Sequence, residues 1–153
     1  MRALQLRIPP VALLLVTALL MAVSASVVPG AALSIPYPTI IGCGFASVGA
    51  AISFVGVLSF RRAGTTVNPL KPDTSSSLVR AGVYNLTRNP MYVGFLMVLI
   101  GWAVYLSNAL AFLFAPAFVL YMNRFQIEPE ERALTARFAE EFVAYKKQVR
   151  RWL

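Results

Sequence analysis

From residue 89 to residue 123 the chain reads NPMYVGFLMVLIGWAVYLSNALAFLFAPAFVLYMN, with Arg88 before it, Arg124 after it and no charge between them. A helix that crosses hydrocarbon needs about 20 apolar residues, so the stretch is too long for one span and short for two full spans with a turn. Ser107-Asn108 marks the expected turn. The reading is a tight membrane hairpin, 90–106 and 109–123, shallow or tilted within a helical bundle, with Pro116 perturbing its second arm.

Working outward, a second uncharged stretch runs from Arg7 to Arg61. Pro29-Gly30 and Pro36-Tyr37-Pro38 split it into two further spans, about 10–28 and 39–60. The fold class expected is therefore all-α, an integral-membrane bundle of about four transmembrane helices. Residues 61–89 form a loop and 124–153 an amphipathic tail. Of 153 residues, 58% are hydrophobic and 13% charged, with a mean hydropathy of +0.68. Soluble domains carry about 25% charged residues, which excludes a soluble globular enzyme.

The 14 basic residues fix the expected orientation. Arg2 and Arg7 precede span one, and Arg61, Arg62, Lys71, Arg80 and Arg88 lie between spans two and three. Arg124, Arg132, Arg137, Lys146, Lys147, Arg150 and Arg151 follow span four. With four spans and both termini cytoplasmic, every one of them is inside, as the positive-inside rule requires. The net charge of +8 then reads as attraction to the lipid bilayer's anionic headgroups. No nucleic-acid partner is expected, because no compact basic domain exists to dock one. A competing reading takes residues 1–26 as a secretory signal, with a basic start, an apolar run and small residues at 22–26.

Cysteine and histidine usage narrows the chemistry. The single Cys43 and the absence of His exclude an intrachain disulfide, a His/Cys zinc site and Ser-His or Cys-His catalysis, and no metal site is expected. Gly42, Ala46, Gly49, Ala50, Ser53 and Gly56 recur at helical spacing in span two, which lets a neighbouring backbone come close. Gly42-Cys43-Gly44 is no phosphate loop, since such a loop follows a strand and opens a helix.

Neither 61–88 nor 124–153 reaches the roughly 40 residues below which a chain cannot build its own core, so any site is assembled jointly at one membrane face. In the first segment, Asn89 reads as the cap of a helix starting at Pro90, Arg88 as snorkelling to headgroups and Tyr92 as part of the interfacial aromatic belt. In the second, Phe138, Phe142, Tyr145, Val149 and Trp152 recur at steps of three or four, as on an amphipathic helix. All acidic residues but Asp73 lie in this tail, and Glu128, Glu130 and Glu131 favour a helix N-terminus by charge alone. Set opposite Arg80 and Arg88, they suit a ligand bearing both cationic and anionic groups.

Gly82-x-Tyr84, Arg88-Asn89-Pro90-Met91-Tyr92-x-Gly94 and the later Glu130-Glu131-x-x-Leu134, with Phe138 and Tyr145, resemble the isoprenylcysteine carboxyl methyltransferase and phospholipid methyltransferase superfamily over residues 61–153. The resemblance implies an integral-membrane methyltransferase that uses S-adenosylmethionine, bound at the cytoplasmic face. By position it assigns Gly82, Tyr84, Asn89, Pro90, Tyr92, Glu130, Glu131 and Tyr145 to the cofactor. Arg88 is assigned to the reacting end, with Arg88 and Glu131 as the catalytic pair. Val83 replaces the usual Pro, Asn89 the usual His, Ala139 the usual Gly and Phe142 the usual Tyr. A lipophilic small molecule or lipid is the expected acceptor, through a carboxylate, amine or thiol. Two readings compete: an NADPH-dependent membrane reductase, which would favour clustered Arg and Lys for its phosphates, and a non-enzymatic membrane protein with a lipid- or partner-binding tail. Oligomeric state is left open.

Overall fold

The computed structural model describes residues 5–64 and 76–153. Arg2, Lys71, Asp73 and Ser75 lie outside the described residues. Proline opens three of its helices, α1 (Pro10–Val27), α2 (Pro38–Arg62) and α3 (Pro90–Leu106). At the first helical position the missing N–H has no helical partner to lose, and the fixed φ suits the helix. α1 ends where Pro29 starts a short 3₁₀ turn, Pro29–Ala31. α2 ends on Arg61 and Arg62, cations at the negative pole of its dipole.

Ser107, with φ +47, turns the chain from α3 into α4 (Ala109–Tyr121). Asn108 caps α4 by accepting from the Leu110 N–H at 3.0 Å, and its Nδ2 donates to the Val28 carbonyl at 3.1 Å. The hairpin tip is thereby tied to the end of α1. No helix break separates α4 from the tail. A π-helical turn, Met122–Ile127, joins α4 to α5 (Glu128–Gln148). Pro129 explains the irregularity, since it cannot donate to the Phe125 carbonyl four residues back. That carbonyl instead accepts from the Leu6 N–H at 3.1 Å, which holds the N-terminal segment against the turn.

α2 and α3 make the closest contact in the bundle. Gly42, Gly49 and Gly56 form one buried edge of α2, and Gly94 and Gly101 face them from α3. A Cβ on Gly49 would meet the Gly94 carbonyl oxygen at 2.5 Å, and one on Gly42 the Gly101 oxygen at 2.7 Å. Ser53 Oγ donates to the Met91 carbonyl across the same seam at 3.0 Å. Met21, Tyr92, Leu99, Ala103, Ala111, Phe118, Met122 and Ile127 form the core between α1, α3 and α4. Val11, Leu15, Leu19, Ile40, Val48, Phe54, Leu113 and Leu120 point outward, an apolar exterior suited to lipid. The described residues are all-helical with no strand, and the apolar helices make the chain an integral-membrane bundle.

The tail departs from the regular amphipathic helix read from its spacing. Ala139 interrupts α5 with φ +42 and ψ −117, and Val149 is extended, so the helix ends at Gln148. Phe142, Tyr145 and Val149 pack with Leu78, Leu134 and Phe138, whereas Trp152 reaches the bundle core and donates from Nε1 to Asn123 Oδ1 at 3.0 Å. The periodicity carried no signal of the break because Val149 and Trp152 are apolar in either geometry. The tail folds back on the bundle.

Candidate functional site

The site forms where the loop before α3, the π turn and α5 meet the last residues of the chain. Gly82 opens a 3₁₀ turn, Gly82–Asn85, at φ +64. A Cβ there would touch nothing within 4 Å, so the position needs glycine for its backbone angle and not for space. The turn buries Tyr84, whose carbonyl accepts from the Tyr145 hydroxyl at 2.6 Å. The Tyr84 hydroxyl itself is buried with no hydrogen-bond partner. Burial pushes its phenol above the ordinary 10.0, helped by the nearby Tyr145 and Glu130, and burial pushes Tyr145 up to about 12. Both are neutral donors at neutral pH.

Arg88 and Glu131, 43 residues apart, form an ion pair at 2.8 Å, with side chains 11% and 15% exposed. Arg88 Nη1 also donates to the carbonyls of Val149 at 2.7 Å and Lys146 at 3.1 Å, the unsatisfied end of α5. Its Nε is buried without a partner. Arg151 closes on Glu131 from the other side, Nη2 to Oε2 at 2.7 Å and Nε to Oε1 at 3.1 Å. Burial alone would raise the Glu131 carboxyl, but the bonds and charges of Arg151 and Arg88 outweigh it and hold the group below 4.5.

Glu130 has a different environment. Its Oε1 accepts from the Tyr92 hydroxyl at 2.6 Å and from Gln126 Nε2 at 2.5 Å, two neutral donors. Burial is the dominant influence and pushes its carboxyl up to about 7, against those hydrogen bonds. Two adjacent glutamates thus differ in charge state near neutrality, one fully ionised and one poised to exchange a proton.

Asn89 sits at the cap position of α3, but its side chain makes no cap bond. Its Nδ2 donates to the Arg151 carbonyl at 2.9 Å, as does Thr87 Oγ1 at 3.2 Å, and the Arg88 N–H donates to the Arg150 carbonyl at 2.9 Å. The capping role read from the sequence is therefore replaced by a tie to the chain end. Pro90 and Tyr92 are buried at the start of α3. Arg88, likewise, does not snorkel outward but is held inside this junction. Arg80 pairs with Glu141 at 3.0 Å outside it, with both side chains about half exposed.

All the sequence-derived positions, Gly82, Tyr84, Arg88, Asn89, Pro90, Tyr92, Glu130, Glu131 and Tyr145, lie in this one region. Sequence reasoning missed Gln126, Thr87 and Arg151. Arg151 was hidden in a basic run read as headgroup attraction, and Gln126 carries a signal only as a polar residue among apolar neighbours. An open cleft of about 570 Å³ adjoins the junction, lined by Glu128, Glu131, Arg132, Thr135, Ala136, Lys146 and Arg151. Its volume falls within the range of small-molecule sites.

The profile of the phospholipid methyltransferase family matches residues 37–141. An uncharacterized protein of Haemophilus influenzae is 44% identical over 63 residues, 41% of this chain and 100% of that protein. A protein-S-isoprenylcysteine O-methyltransferase of Saccharomyces cerevisiae is 28% identical over 117 residues, 72% of this chain and 46% of the relative. One of Xenopus laevis is 40% identical over 78 residues, 49% of this chain and 26% of the relative. The chain spans less than half the length of these two methyltransferases. No solved structure matches at a significant level.

Proposed function

The chain belongs to the phospholipid methyltransferase family, and from that premise we propose that it is a membrane methyltransferase that uses S-adenosylmethionine to methylate a lipophilic acceptor. The observation that carries the reading is the meeting of Arg88 and Tyr92 with Glu130 and Glu131 in one junction. This donor set fits the methyl donor. Its amino-acid end needs a carboxylate for the ammonium and a guanidinium for the carboxylate, and its adenosine needs aromatic and hydrogen-bonding surface. The buried, unpartnered Tyr84 hydroxyl and Arg88 Nε are further donors in the same region.

When bound, S-adenosylmethionine supplies a sulfonium methyl that passes to a nucleophilic oxygen, nitrogen or sulfur. The residues of this chain bind, align and exclude water. Glu131 holds the cationic amino group, and Arg88, locked by three acceptors, orients an anionic acceptor or the donor's carboxylate. Alignment of the reacting atoms to about 3–3.5 Å supplies most of the acceleration. Glu130, held by Tyr92 and Gln126, completes the cofactor-binding set beside Glu131. A lipophilic acceptor enters laterally between helices, and the site faces the cytoplasm by the positive-inside rule. Acceptor chemistry is carboxylate, amine or thiol.

The test is calorimetric binding of S-adenosylmethionine, its demethylated product and NADPH to the detergent-purified protein, followed by transfer of labelled methyl to lipophilic acceptors. Methyl donor and product are expected to bind and NADPH not to. Arg88→Ala and Glu131→Gln are each expected to cut turnover by at least ten-fold. Full activity in both variants, or binding of NADPH alone, overturns the reading.

A further inference from the structure

We propose that Arg151 is a cofactor-positioning residue and that the Glu131–Arg151 ion pair is the recognition unit for the amino-acid end of the methyl donor, opening when that end inserts. The inference rests on the methyl-donor reading above and adds to it a residue near the chain terminus that carries specificity. Three observations support it.

The first is that Glu131 is contacted by two arginines with different freedom. Arg88 is 11% exposed and is also bound by two backbone carbonyls, so it cannot leave. Arg151 is 32% exposed, and both of its bonds that involve the guanidinium go to Glu131. Of the pair, only Arg151 can turn away without stranding backbone acceptors.

Second, Glu131 and Arg151 both line the open cleft, so the pair is reached from solvent and not sealed in the core. An inserted α-amino acid carries an ammonium and a carboxylate on one carbon. Glu131 exchanges one guanidinium for the ammonium, and Arg151 exchanges Glu131 for the carboxylate. One ion pair becomes two, and no charge is left unpaired, which avoids the cost of stripping a partner from a part-buried ion. Planar, bidentate recognition of a carboxylate is the geometry at which Arg surpasses Lys.

Third, the backbone at Arg151 is anchored independently of its side chain. Thr87 and Asn89 donate to its carbonyl, and the neighbouring Arg150 carbonyl accepts from the Arg88 N–H. Release of the side chain from Glu131 would thus leave its backbone in place, as a ligand-binding group needs if it is to leave one partner and take another.

The experiment measures calorimetric binding to the detergent-purified protein of three probes: S-adenosylhomocysteine, its decarboxylated analogue and methylthioadenosine, which lacks the amino-acid end. In the wild type the order of affinity should follow the list. In Arg151→Gln, S-adenosylhomocysteine should bind roughly 10- to 100-fold more weakly, the scale of one hydrogen-bonded charge pair. The other two probes should be unchanged. Arg151→Lys, which keeps the charge and protects against loss of the fold, should fall between. Equal weakening of all three probes makes Arg151 a structural clamp and overturns the inference, as does no weakening at all. Failure of the wild type to bind any probe overturns the methyl-donor reading itself, and binding that ignores the carboxylate in the wild type overturns the inference alone.

Discussion

The α2–α3 seam and the polar junction at the start of α3 share one helix and are held together by opposite means. Along the seam, Gly42, Gly49, Gly94 and Gly101 bring two backbones into contact, and cohesion comes from packing at short range. At the junction, Arg88 and Arg151 converge on Glu131, and cohesion comes from charge and directed hydrogen bonds. The first tolerates no added atom and is indifferent to pH. The second depends on protonation. A small membrane protein can therefore hold one side of a helix by close backbone packing and the start of the same helix by charge and hydrogen bonds.

The largest expected effect breaks the seam. Gly49→Ala places a methyl 2.5 Å from a backbone oxygen that cannot move aside without separating the helices. Overpacking of this kind costs about 1–3 kcal/mol or more. Gly44→Ala, on the same helix but with nothing within 4 Å, should leave stability unchanged or raise it by up to about 1 kcal/mol. Thermal unfolding in detergent checks the pair, and equal behaviour of the two variants would deny the seam its role.

A smaller effect sharpens the contrast in pH dependence. Glu130 is neutral in both folded and unfolded chain well below 4.5. As pH rises from there through about 7, the unfolded chain ionises first and stability is lost. Glu130→Gln removes that loss, so its melting temperature relative to wild type should improve between pH 5 and pH 8. Glu131, held below 4.5, contributes stability above that value and loses it as pH falls through its lowered one. The deficit of Glu131→Gln should therefore shrink in acid. Parallel pH profiles for wild type and both variants would refute the assignment of opposite states to these neighbours.

The smallest effect concerns the interruption of α5. Ala139 at φ +42 is strained, because a Cβ disfavours this angle, whereas glycine adopts it freely. Ala139→Gly should raise stability by about 1 kcal/mol. A fall in the melting temperature would show that helix propensity outweighs the strain. The resemblance had already marked this position as one where glycine is usual, and the backbone angle supplies the physical reason.

Much of this was legible in particular residues. The charge-free runs, the Pro29-Gly30 and Pro36-Tyr37-Pro38 breaks and the Ser107-Asn108 turn follow from the requirement that lipid-exposed backbone be helical and charges stay at its margins. The spacing of Gly42, Gly49 and Gly56 announced a close neighbour. It did not say that Gly94 and Gly101 of α3 would be that neighbour, since a small residue identifies a contact surface but not its partner. Within the site, Arg88-Asn89-Pro90-x-Tyr92 and Glu130-Glu131 were visible as motifs, but the capping role given to Asn89 was not the one it performs.

What the sequence determined by itself is the all-helical membrane architecture, because hydrocarbon acts on each segment separately and its demand can be counted residue by residue. Only the tertiary structure decided how the two glutamates divide their roles. Burial beside Tyr92 and Gln126 leaves Glu130 near neutrality, and contact with Arg88 and Arg151 keeps Glu131 ionised. Those partners lie at both near and distant positions in the chain. Charge state follows from the whole surrounding field, which no local pattern of residues contains.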